Sequence, residues 1–134
     1  MLFRSMAQRL VRRVCPHCAA PCEVDPLMRS RFNLDATAKG FVKGRGCGRC
    51  AQLGYRGRIG LYELLSFTPA VQALVEQGGS VERIRDLAVR NGMRQMWQDG
   101  LEKAQLGQTT LDEVANAASI IQIENNVHDA RLVA

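Results

Sequence analysis

Cys15-Pro16-His17-Cys18 and Cys47-Gly48-Arg49-Cys50 are two knuckles of identical spacing with 28 residues between them. Each Cys-x-x-Cys closes a tight turn with both thiols on one side, and two such knuckles complete a closed tetrahedral set for one structural Zn²⁺. Gly48 suits the second turn, because a residue without Cβ lets backbone amides point back at the sulfurs. The pattern predicts zinc on Cys15, Cys18, Cys47 and Cys50, with no position left open for catalysis. The competing readings are four free thiols or a duplicated redox pair, but no strand-then-helix pattern of redox type surrounds either knuckle. Cys22 is extra, and is expected to be a buried thiol or a competitor of Cys18 for the metal.

An odd total of five cysteines argues against a disulfide framework. No hydrophobic signal region opens the chain, and no stretch approaches the roughly 18 apolar residues of a membrane span. A cytoplasmic zinc protein with no direct membrane span is the expectation. The 134 residues allow one domain or two small modules. Charge favours two, since residues 1–65 carry twelve Lys/Arg against four acids, a net of +8, and residues 66–134 carry six against nine, a net of −3. A basic zinc module invites a nucleic-acid reading, or a surface that meets an acidic protein. Only Phe32, Phe41 and Tyr55 lie within it, which is thin material for stacking bases, so no nucleic-acid partner is expected.

Along the chain, Met1 to Val14 is Arg-rich without an acid; its Met6, Leu10, Val11 and Val14 read as one apolar face of a helix. Asp25 with Pro26 opens a short helix through Leu27, Met28 and Phe32. Residues 39–57 are rich in glycine and turns, with a short strand at Phe41 to Lys43. They are no phosphate cradle, because no Gly-Lys-Ser/Thr follows the glycines. Ile59 to Phe67 is a continuous apolar run that reads as a buried strand. Glu63 within it is expected to pair with Arg56 or Arg58. Four helices follow. Thr68 and Pro69 open the first, Ser80 caps the second, the third begins near Met93 and ends at Gly107, and Thr110 with Glu113 forms a capping box for a fourth that reaches Ile121. Beyond Glu124 the chain is polar, and His128 is given no role.

The order of these motifs resembles a known family. Gln8-Arg9-Leu10-Val11-Arg12-Arg13, the two knuckles, Gly54-Tyr55-x-Gly57-Arg58-x-Gly60-x-Tyr62-Glu63-Leu64-Leu65, Met93 to Gly100, Lys103, Gly107, Thr109-Thr110 and Glu113-Val114 are similar to the C-terminal end of the ATPases of type II secretion and type IV pilus assembly. The likeness covers about residues 6–118, and Met-Trp-Gln-Asp-Gly-x-x-Lys leans toward the type II secretion member. It implies an α+β fragment: a tetracysteine zinc module plus a small helical C-terminal subdomain of a RecA-like P-loop ATPase whose nucleotide core is missing.

The implied boundaries are a helix from the core at 1–14, the zinc module at 15–58, a strand rejoining the core at 59–67, a helical subdomain at 68–124 and a tail at 125–134. The family's phosphate loop and Mg²⁺-ordering acids lie upstream, so ATP and Mg²⁺ are expected only in a full-length parent. Met1 to Ser5 do not resemble the family's preceding residues, which is the expectation of a fragmentary start. The implied parent is a cytoplasmic homo-hexamer, assembled through the missing core and peripheral to the inner membrane through the cytoplasmic domains of platform proteins. A stand-alone zinc-ribbon nucleic-acid binder is the alternative.

Overall fold

The computed structural model describes residues 3–118 of the chain. Its spine is an antiparallel ribbon of two long strands, β1 (Arg4–Val14) and, after the knuckles, β4 (Tyr55–Ser66), with Val11 opposite Ile59, Arg9 opposite Leu61 and Ala7 opposite Glu63. The opening segment is therefore a strand and not the expected helix. Met6 and Leu10, assigned to an apolar helix face, are 61% and 55% exposed, while the β-branched Val11 and Val14 are buried. The helical spacing of those four residues was coincidental. What decides their conformation is a pairing partner about fifty residues away, which local periodicity does not register. The apolar run at 59–67 does form a strand, and Leu61 at its centre is fully buried.

Between the ribbon's strands lie β2 (Ala19–Pro21) and β3 (Val42–Gly44), paired antiparallel, with α1 (Pro26–Arg31) between them. Asp25 opens α1 as expected, its carboxylate accepting from the Leu27 amide at 2.7 Å ahead of Pro26.

After β4 come α2 (Pro69–Glu76), α3 (Val81–Arg90), α4 (Met96–Gln105) and α5 (Leu111–Ala117). The hydroxyls of Thr68, Ser80 and Thr110 accept from the Val71, Arg83 and Glu113 amides, the caps the sequence announces. The third helix starts three residues later than expected. Gly92 turns at φ +93°, and the Gln98 side chain bonds the Gln95 amide, so Gln95 is the cap. Ile121, the tail and His128 lie outside the described residues.

The core ignores the charge boundary. Val11 and Leu61 of the ribbon, Phe32 and Phe41 of the metal half, and Met96, Leu111 and Val114 of the helical half form one buried cluster. α4 packs on β4, and α5 packs on β1 and α4, whereas α2 and α3 pack chiefly on each other. Gly100 permits the α4–α5 approach, since a Cβ there would stand 2.5 Å from a Val114 methyl.

The ribbon's two outer edges are treated differently. In an antiparallel pair, alternate residues turn their amides away from the partner. On β4 these are met by α4: Asp99 accepts from the Tyr62 amide at 2.9 Å, and Lys103 donates to the Gly60 carbonyl at 2.7 Å while pairing with Asp99 at 2.6 Å. On β1 the loop before α5 covers only the far end. Glu113 accepts from the Arg12 amide, Thr109 donates to the Arg12 carbonyl, and the Val14 amide donates to the Gln108 carbonyl. Arg4, Met6, Gln8 and Leu10 share Arg12's outward phase, and their backbone groups have no partner on that edge among the described residues.

Candidate metal centre

The first knuckle leaves the end of β1 through a bulge between Arg12 and Val14. The Cys15 amide donates to the Gly54 carbonyl at 2.9 Å and the Arg45 amide to the Cys18 carbonyl at 3.0 Å, so each side of this turn is anchored to the second knuckle's neighbourhood. The second knuckle is a single 3₁₀ turn, Gly48–Cys50, closed by the Cys50 and Gln52 amides on the Cys47 carbonyl. Its left-handed backbone lies at Gly46, Ala51, Gln52 and Gly54, not at Gly48, around which a Cβ would meet only open space. The Cys47 and Gly54 amides each lie 3.3 Å from Cys50 Sγ and the Gly46 backbone bonds the Cys18 thiol, so the role expected of Gly48 is carried by other residues. Gly44 and Gly54 touch backbone to backbone, and a Cβ on Gly44 would fall 1.9 Å from the Gly54 oxygen.

These turns bring the four sulfurs of Cys15, Cys18, Cys47 and Cys50 within 4.8 Å of one another. The Cys15–Cys47, Cys18–Cys50 and Cys47–Cys50 separations are 3.9, 3.8 and 3.7 Å. A tetrahedron with Zn–S bonds of about 2.3 Å has edges of about 3.8 Å, so these three edges match a zinc–thiolate site. All five cysteines are free thiols. Cys15 and Cys50 are buried, Cys18 and Cys47 half-buried. Burial pushes Cys50 up, but the Cys47 and Gly54 amides and the neighbouring thiols outweigh it and bring the group down to about 6. Cys18 is pushed up to about 11, first by burial and then by the thiols beside it. Outside the cage, an Arg49 guanidinium nitrogen lies 3.3 Å from both ring nitrogens of His17, giving the site a cationic rim.

Two expectations fail here. Cys22 is exposed and outside the cluster, so it is neither a buried thiol nor a rival of Cys18. Among the described residues Glu63 has no arginine partner; its carboxylate accepts from the Met96 amide at 3.0 Å at the start of α4. The β4 strand carries Glu63 away from Arg56 and Arg58, both exposed on the first turn of the strand. Sequence reading also missed a clasp that ties the metal end of the ribbon to α5. The Arg12 guanidinium donates twice to Glu113 and lies 4.2 Å over the Tyr55 ring, whose hydroxyl is 3.0 Å from that of Thr110. Thr110 and Glu113 drew notice as a capping box, and that was the available signal. The Glu113 side chain goes to Arg12 instead of back to its own helix.

A four-thiol cage, set at one end of a ribbon and backed by short helices, is a cluster that could hold one metal ion such as zinc. The comparisons place it in a larger setting. A family model described as type II/IV secretion system protein matches residues 2–116, and the chain belongs to that family. It is 42% identical over 116 residues to the type IV pilus assembly ATPase PilB of Thermus thermophilus, covering 84% of this chain and 13% of that protein. It is 38% identical over 114 residues to the type II secretion system ATPase E of Vibrio cholerae, covering 84% and 22%. With the type II secretion system protein E of Pseudomonas aeruginosa it shares 37% over 110 residues, covering 81% and 22%. The chain thus spans 13 to 22% of the length of these curated relatives. Relatives from both systems match at similar identity. Among the described residues, no helix is long and apolar enough to cross a membrane.

Proposed function

We propose that this chain is the metal-binding and C-terminal part of a hexameric cytoplasmic ATPase that powers type II secretion or type IV pilus assembly. In that role Cys15, Cys18, Cys47 and Cys50 hold a structural Zn²⁺. The cage carries the proposal, because its three measured edges match a zinc–thiolate tetrahedron in a chain of this family. Zinc would supply no chemistry to a substrate; its four ligands leave no open position, and its work is to order the turns between β1 and β4. ATP and Mg²⁺ belong to the portion of such a parent that carries a phosphate loop, which these residues lack. The uncovered edge of β1 at residues 4–10 is the surface through which we place the module against the ATPase core, by strand pairing. Hydrolysis in the core would move the cytoplasmic domains of an inner-membrane platform. Family membership disfavours a stand-alone nucleic-acid binder.

Elemental analysis tests the metal assignment: one zinc per chain is expected in the parent sequence and in Cys22→Ser, and loss of zinc with loss of cooperative melting in Cys47→Ser. Full zinc in Cys47→Ser overturns the cage. Saturable micromolar ATP binding by the 134-residue chain overturns the division of labour.

A further inference from the structure

We infer that the metal half carries a docking groove for a short apolar protein segment flanked by lysine or arginine. The groove, about 400 Å³, lies between β3, α1 and the start of α5. Its floor includes the buried rings and chains of Phe41 and Leu111, and its wall carries Leu27, which is 70% exposed. That volume accommodates two or three apolar side chains.

Charge selects the flanks. The first 65 residues contain only four acids among twelve bases, and two of the four, Glu23 and Asp25, stand on this rim with Asp112. The other two acids are engaged elsewhere: Asp35 accepts from the amide and hydroxyl of Thr37, and Glu63 from the Met96 amide. Asp25 caps α1, whereas Glu23 and Asp112 have no hydrogen-bond or ion-pair partner among the described residues. An apolar slot with an acidic rim on an otherwise basic half favours a cationic amphipathic segment, and repels nucleic acid and anionic lipid. Lys43 is the single base of the lining. Such a segment would sit with its basic ends toward Glu23, Asp25 and Asp112 and away from Lys43. The inference rests on the groove between β3, α1 and the start of α5, and does not depend on which machine the chain serves.

The test uses the zinc-loaded 134-residue chain and three fluorescein-labelled peptides: Arg-Lys-Leu-Ile-Leu-Lys-Arg, the same apolar centre with Glu-Glu flanks, and the same basic flanks around Ser-Gly-Ser. Fluorescence anisotropy at low salt is expected to show saturable binding of the first peptide alone. Glu23→Lys and Leu27→Glu, both at exposed positions, should each weaken it by about tenfold, as expected where a central contact is replaced by an unfavourable charge. Amide NMR shifts should localise to residues 22–28 and 110–112. No saturable binding, equal binding of the acid-flanked peptide, or indifference to both substitutions overturns the inference. Self-association of the chain that Glu23→Lys abolishes would also overturn it, since a second copy would then be the occupant. A zinc-free or ATP-binding chain would instead sink the functional reading while leaving this result standing.

Discussion

The two edges of the same ribbon differ in how they end. β4 is covered at the middle of its outer side by side chains of α4, where Asp99 and Lys103 take the place of a strand that would otherwise bond the Tyr62 amide and the Gly60 carbonyl. β1 is covered at Arg12 and Val14 and, among the described residues, has no partner on that edge from Arg4 to Leu10. A paired acid and base seated on Tyr62 and Gly60 satisfies those two groups and obstructs a further strand there. A bare edge carrying Met6 and Leu10 beside Leu64 presents both unpaired amides and apolar surface. The chain thus has one ribbon edge met by its own helices and another whose first half is open to strand pairing.

The largest effect should come from breaking the seal. Asp99→Ala removes the acceptor of the Tyr62 amide and the partner of Lys103 together; a loss of about 2–3 kcal/mol is expected in urea unfolding, as two polar groups lose their bonds in a half-buried site. If the seal were incidental, the loss would stay within surface noise.

A smaller effect should appear at the covered end of β1. Burial pushes Glu113 up, but the Arg12 side chain and amide hold it below the usual carboxylate range. The depressed folded value means that its stabilisation is full above the ordinary glutamate pKa, about 4.3, and is lost as pH falls through the lower folded value. Glu113→Gln should therefore melt earlier at neutral pH and converge with the parent in acid. The difference between the two melting curves is the measurement, since any metal on the thiolates would leave both chains alike as they protonate.

The smallest effect belongs to the open edge. Met6→Lys should change the stability of the isolated chain by less than about 0.5 kcal/mol, because nothing covers that side chain. It should nevertheless weaken strand pairing with an upstream core supplied in trans, read by size-exclusion chromatography. A large stability loss from Met6→Lys would show that the edge is already occupied within the chain.

What the sequence disclosed follows the range of the forces involved. Each cysteine pair lies within four residues and each helix cap within three of its target, so the knuckles and the caps at Asp25, Thr68, Ser80 and Thr110 were readable from neighbours alone. The helix misassignment of β1, the missed Arg12–Glu113 pair and the wrong partner for Glu63 share a different cause. Each depends on residues between 33 and 101 positions apart, brought together by strand pairing or by the packing of α4 and α5 on the ribbon. The Cys-x-x-Cys spacing specified where the sulfurs would meet. It said nothing of which amides would face them, and the glycine judged responsible was not the one used.

The ribbon's wide separation in sequence also governs how the chain can assemble. Val14 pairs with Tyr55 across an intervening loop of 40 residues, so β1 must wait, unpaired, while the rest of the module is synthesised. Once a cation joins Cys15 to Cys50, only the few residues from Cys50 to Tyr55 remain to be closed. By logarithmic loop scaling, that shortening lowers the entropy of starting the ribbon by roughly 2 kcal/mol. Metal capture would then come before strand pairing and set its register, making refolding rate, and not only final stability, a readout of zinc supply.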